Sequence, residues 1–202
     1  MKKLFAIALS IVIIAAFLTV GASAATTHTV VSGDSMWKIA VKYQVGLSEI
    51  KAANPQISNP DLIYPGQVLN IPENDASVLS YEQEVIRLVN EIRFQNGLKA
   101  LTHNWELSRV ARYKSQDMKD KGYFSHTSPT YGSPFQMMKS FGITYRSAGE
   151  NIARGQRTPQ EVVNAWMNSS GHRANILNSS FTEIGVGYVA SGNYWTQMFI
   201  GK

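Results

Sequence analysis

The stretch WMNSSGHRANIL, Trp166 to Leu177, sets an imidazole beside a guanidinium, His172 next to Arg173, just past a segment patterned as a capped amphipathic helix. Histidine titrates near neutral pH, so three roles are open to His172: metal ligand, acid-base catalyst, or hydrogen-bonded structural group. Local spacing does not choose among them. The chain contains no H-E-x-x-H helix and no G-x-S-x-G elbow, the two short motifs that would announce a zinc protease or a serine hydrolase. It also contains no cysteine, which rules out chemistry that needs a thiolate nucleophile, including cysteine-histidine peptidases and cysteine-dependent transpeptidases. Other polar blocks interrupt the apolar pattern at FSHTSP (124–129), GENIA (149–153), EIGVGY (183–188) and YWTQMF (194–199).

The elements that must position these groups begin after an export segment. Lys2 and Lys3 precede an uncharged apolar run from Leu4 to Val20, and Ala22-Ser23-Ala24 supplies small residues where a signal peptidase cuts, so residues 1–24 are expected to be a signal peptide. The run is also near bilayer-spanning length, and an uncleaved anchor is the alternative; after cleavage no membrane association is expected. Removing Lys2 and Lys3 from the 19 basic residues leaves 17 against 14 acidic, a formal +3. Residues 79–202 hold that surplus and would favour anionic wall polymers, although ordinary solvated charge accounts for so small an excess. No compact basic run is present, and an exported chain is a poor partner for nucleic acid.

Residues 25–72 read as a small module in the order strand, helix, helix, strand. Thr27 to Val31 and Gln67 to Ile71 have strand character. Met36, Ile39, Ala40 and Tyr43 share a helical face capped by Ser35, and Ile50, Ala53 and Asn54 follow Ser48 in a second helix that Pro55 ends. The SGDS turn, the NPQISNPDLIYPGQ segment and the closing IP resemble a LysM domain over its whole length. That resemblance implies binding of N-acetylglucosamine glycans, peptidoglycan or chitin, in a shallow groove. By position, Gly33, Asp34, Ser35 and Met36 would line one side, and Asn54, Pro55, Gln56 and Ile57 the other. Turn formation and helix capping explain Asp34 and Asn54 equally well.

Residues 73–79, within the polar stretch ENDASVLS, read as a linker that allows the modules to move. Beyond it, Tyr81, Val85, Leu88 and Ile92 form a helical stripe that stops at Gly97. A second helix lies in NWELSRVARYKSQDM with Asn104 as cap, and a short third runs from Ser133-Pro134 to Gly142. A fourth opens on a capping box, Thr158-Pro159-Gln160-Glu161. Ile184 to Ala190 and Asn193 to Ile200 then make a hairpin through Ser191-Gly192. Helices and strands without regular alternation predict an α+β fold, with helices on a mainly antiparallel sheet.

The five polar blocks, FSHTSP, GENIA, SSGHRANIL, EIGVGY and YWTQMF, are similar in order and spacing to those of the CAP (SCP-like extracellular) family in its bacterial YkwD-type form. The resemblance covers residues 80–202 and implies an α-β-α sandwich with a central cleft. It places His126 and Glu150 in that cleft, at two of the four positions that carry two histidines and two glutamates in eukaryotic members. The other two positions hold Ser169 and Tyr194. His172, three residues after Ser169, would bring an imidazole back if the helix continued.

His126, Glu150 and His172 together have the composition of a three-ligand zinc site, or of a metal-free acid-base set. Mutual hydrogen bonding without any ligand is the third reading. The expectation is an exported envelope protein bound to peptidoglycan, with a CAP domain in a binding or regulatory role, and with spore cortex or coat, among other spore-layer proteins, as a candidate setting. No cofactor is required. The competing readings are a metal-assisted hydrolase of wall peptide or glycan and a carrier of lipid or another small apolar ligand.

Overall fold

The computed structural model describes residues 26–73 and 75–202; the expected signal peptide lies outside them. In the N-terminal module, β1 (Thr27–Thr29) pairs antiparallel with β2 (Val68–Asn70), His28 facing Leu69. Between them come α1 (Met36–Tyr43) and α2 (Leu47–Ala53). Ser35 accepts a hydrogen bond from the Lys38 N–H and so starts α1. Gln44 stops it in the left-handed conformation, φ 54°. A short turn leads into α2, which ends two residues before Pro55, whose ring disfavours helical geometry at Asn54. Ile39, Ile50 and Leu69 are fully buried in a core that belongs to this module alone.

The second domain opens on a long helix. Helix α3 (Ala76–Gln95) starts inside the segment read as linker, because Asp75 accepts from the Ser77 and Val78 N–H groups and Val78 packs on the core. It is followed by β3 (Thr102–His103), α4 (Trp105–Asp120), α5 (Pro134–Ser140), β4 (Ser147–Arg154), α6 (Pro159–Met167), α7 (Ser170–Ile176), β5 (Glu183–Val189) and β6 (Tyr194–Gly201). The sheet order is β3-β5-β6-β4, with only the β3–β5 pair parallel. Leu107, Val110 and Met137 of α4 and α5 pack with Met198 and Ile200 on one face. Val85, Val163 and Ile176 of α3, α6 and α7 pack with Ile184, Trp195 and Phe199 on the other. The result is the expected α-β-α sandwich.

GENIA forms the middle of strand β4. Two local expectations need correction. The α6 helix does not continue to His172: it ends at Met167, and α7 starts afresh after Ser169. The capping box at α6 is half formed, since Thr158 accepts from the Glu161 N–H while the Glu161 carboxylate accepts from the Arg157 N–H, one residue too early.

Close approach of α4 to the sheet has a specific cause. A Cβ on Gly185 would lie 2.3 Å from the Ser108 backbone nitrogen, and one on Gly187 would lie 2.1 Å from that of Arg112. Both glycines face α4, while Ile184, Val186 and Tyr188 alternate onto the other face. Strand and helix therefore meet backbone to backbone, which fixes α4 and everything hung from it.

Candidate functional site

Helix α4 carries two ionisable residues on its buried face, Lys114 between Val110 and Met118, and Asp117 beside them. Lys114 is fully buried. Its ammonium donates to the Tyr123 hydroxyl at 3.1 Å, the Ser125 carbonyl at 2.8 Å and the His126 carbonyl at 3.0 Å. Asp117 accepts from the hydroxyls of Tyr123 at 2.5 Å, Ser128 at 2.7 Å and Thr130 at 2.6 Å. The carboxylate and the ammonium thus clamp residues 123–130 by side chain and backbone. Burial raises the Asp117 carboxyl pKa, but its three hydroxyl donors and Lys114 outweigh that and leave it lowered. Sequence reading missed both residues; a lysine and an aspartate three apart on a buried helical stripe were the available signal.

That loop presents His126. Its Nδ1 stands 2.7 Å from Glu150 Oε1 on β4, with the Glu150 side chain 1% and the His126 side chain 50% exposed. Burial pushes the Glu150 pKa up, opposed by the His126 hydrogen bond and the charge of Lys114. Glu150 Oε2 is buried without a partner among the described residues. With Nδ1 turned to Glu150, Nε2 is the nitrogen that the half-exposed ring leaves open to a hydrogen-bonding ligand.

His172 approaches from the opposite layer. Its pKa is lowered by burial and then by repulsion from His126. The His172 carbonyl accepts from Asn151 at 3.1 Å, and Asn151 is linked to Gln197 at 3.0 Å and to Asn175 at 2.8 Å. Arg93, buried in α3, holds the end of α7 by donating to the Ile176 and Asn178 carbonyls at 2.7 and 2.9 Å. Arg173 is exposed, and no hydrogen bond from its guanidinium is present among the described residues.

The zinc arrangement does not fit. Among the described residues no three His, Cys, Asp or Glu side chains stand close enough to hold a metal ion. Ser169 sits at the N-terminus of α7 without capping it, and the Tyr194 ring, 4% exposed, packs with Met118 and Ile152. What the structure brings together is a His126–Glu150 pair with His172 nearby.

In the N-terminal module the proposed groove residues divide. Met36 is a core residue, 3% exposed, and Asn54, 1% exposed, uses its amide to tie α2 to β2 through Ile50 and Asn70. Asp34 accepts from His28 at 2.8 Å and from the Val31 N–H at 3.0 Å. Those hydrogen bonds hold its carboxyl below the usual range. Gly33, Ser35, Pro55 and Gln56 are exposed and Ile57 is half-buried. Gly33, at φ 89°, makes the turn that a side chain would strain.

Comparison with known proteins matches this geometry. The profile of the Cysteine-rich secretory protein family, CAP, matches residues 86–200, more than half of the chain, and the LysM domain profile matches residues 28–72. The chain belongs to the CAP family and carries a LysM domain ahead of its CAP domain. It is similar to the Bacillus subtilis (strain 168) protein YkwD, 67% identical over 127 residues that make up 63% of this chain and 49% of that protein. SpoIVD-associated factor A of the same strain is 51% identical over 51 residues, 25% of this chain and 13% of that protein. A solved extracellular protein containing a SCP domain from Bacillus anthracis str. Ames superposes with a TM-score of 0.60 at 34% identity, over 68% of this chain and 47% of that one. The chain spans about half the length of YkwD and of the solved Bacillus anthracis protein. No helix among the described residues is long and apolar enough to cross a membrane.

Proposed function

We propose that this chain is an exported cell-envelope protein that its LysM domain holds on peptidoglycan or another N-acetylglucosamine polymer, while its CAP domain serves a binding or regulatory role there. The observation that carries this reading is the N-terminal module itself: a LysM match over residues 28–72 with a core of its own. Gly33 and Ser35 before α1 and Pro55 and Gln56 after α2 are all exposed and so open to such a polymer. A single shallow module binds weakly, so retention on a polymer depends on a second contact or on rebinding. Similarity to a protein named for association with SpoIVD supports the spore envelope as the location.

Sedimentation with purified peptidoglycan tests this. The full chain is expected in the pellet and is expected to be released by soluble N-acetylglucosamine oligomers. A chain that stays in the supernatant contradicts the reading. A second reading, hydrolysis of wall material without metal, draws on one observation, the buried Glu150 against the half-exposed His126. Release of soluble wall fragments by the wild-type chain and not by His126→Ala would favour it; no release by either would dismiss it.

A further inference from the structure

A cleft of about 390 Å³ lies where the two modules meet. Two indoles from different modules line it, Trp37 of α1 and Trp105 at the start of α4. Trp37 is 61% exposed and Val41, one turn further along the same face, is 36% exposed. Neither belongs to the module's core. Both line the cleft, so this uncovered stripe, which starts next to the loop that carries Gly33 and Ser35, forms one wall of it.

The polar groups of the cleft are of mixed sign. Ser48, Glu106 and Arg109 line it. Arg109 is fixed in place: Nε and Nη2 donate to the Glu49 carboxylate at 2.7 and 3.2 Å, and the guanidinium carbon lies 5.3 Å from the Phe141 ring centroid. Its Nη1 has no acceptor among the described residues. Glu49 balances the arginine and Glu106 adds a negative charge, so the cleft has no surplus cation with which to hold an anionic polymer. Aromatic faces beside separate donors and acceptors suit a neutral sugar, whose C–H face stacks while its hydroxyl and acetamido groups take the hydrogen bonds.

From this juxtaposition we infer that the module junction is a second glycan-contacting site, continuing the LysM groove along Trp37 and Val41 to Trp105. One N-acetylated amino-sugar chain then touches both modules. The inference rests on the wall-binding reading and names where its second contact lies. The volume falls in the range of small-ligand sites, about 300–1,000 Å³. Linking the two contacts makes the second binding step intramolecular, which raises affinity for long glycans over short ones.

Calorimetric titration of the full chain with the disaccharide and the hexasaccharide of N-acetylglucosamine reads this directly. The hexasaccharide is expected to bind about tenfold more tightly or better. Trp37→Ala and Trp105→Ala should each reduce that gain and together remove it. Trp105→Phe, which keeps an aromatic face, should retain most of it. Trp37 lies outside the core, so its variant keeps the test independent of any folding defect at Trp105. An undiminished gain in the double variant overturns this inference alone. A wild-type chain that binds neither saccharide overturns the wall-binding reading and this inference with it.

Discussion

Position 172 favours an uncharged imidazole. Burial and then the neighbouring His126 hold the His172 pKa below 6.5 in the folded chain, whereas the unfolded chain takes up the proton near 6.5. The unfolded state therefore binds more protons as the pH falls, and the stability that His172 contributes is present above 6.5 and lost as the pH drops from there through the folded value. His103 adds a slope of the same sign, its pKa lowered by burial and by Arg112. Glu150 and Glu82, both raised by burial, add slopes of the opposite sign that start near the ordinary carboxylate value. The clean quantity is a difference: in urea unfolding from pH 7.5 to 5, His172→Gln is expected to lose less stability than wild type. A difference that does not change with pH would refute this. At this scale His126 and Glu150 were legible, because their blocks matched a family pattern. Lys114 and Asp117 were not, because a polar residue on an apolar stripe is recognised as a clamp only once its partners in the 123–130 loop are in contact with it.

Among the elements, long amphipathic stretches declared themselves and short or buried-polar ones did not. The stripes of α3 and α4 and the alternation of β5 are apolar periodicities, and these are what a sequence displays. Strand β4 hides because Gly149 to Ala153 is buried throughout while two of its members, Glu150 and Asn151, are polar groups kept inside by hydrogen bonds to His126, Gln197 and Asn175. The two-residue β3 and the seven-residue α7 are too short to carry a period. The glycines of IGVGY were read only as strand residues, yet they set how closely α4 can pack. Gly187→Ala would place a methyl group against the Arg112 nitrogen and the Ala111 carbonyl, both backbone atoms that cannot rotate away. The expected cost is about 3 kcal/mol in chemical denaturation. Because α4 also anchors the His126 loop, amide exchange in residues 123–130 should quicken in the same variant. A loss below about 0.5 kcal/mol, the range of ordinary surface changes, would mean that α4 does not need this close contact.

For the whole molecule, two modules connected by a polar segment suggest free relative motion, and the structure adds a latch that sequence could not reveal because its partners are sixty residues apart. Glu49 of the LysM module accepts from Arg109 Nε at 2.7 Å and from the Tyr113 hydroxyl at 2.8 Å, both on α4. Burial raises the Glu49 pKa, but Arg109, Ser48 and Tyr113 outweigh it and leave the carboxyl lowered, so the latch is charged at neutral pH. Partly exposed ion pairs of this kind contribute little to global stability, about 1 kcal/mol or less, while the modules keep separate cores. Glu49→Ala should therefore leave the denaturation midpoint nearly unchanged and yet separate the modules. Small-angle scattering is expected to give a larger radius of gyration for the variant, with faster proteolytic cleavage near residues 73–75, and wild type at high salt should move the same way because screening weakens the pair. Since Trp37 and Trp105 line one cleft only while the modules stay together, the same substitution should erase the preference for long glycans without touching the LysM groove. A Glu49→Ala chain that is as compact as wild type would show that packing at the junction, and not the latch, sets the arrangement.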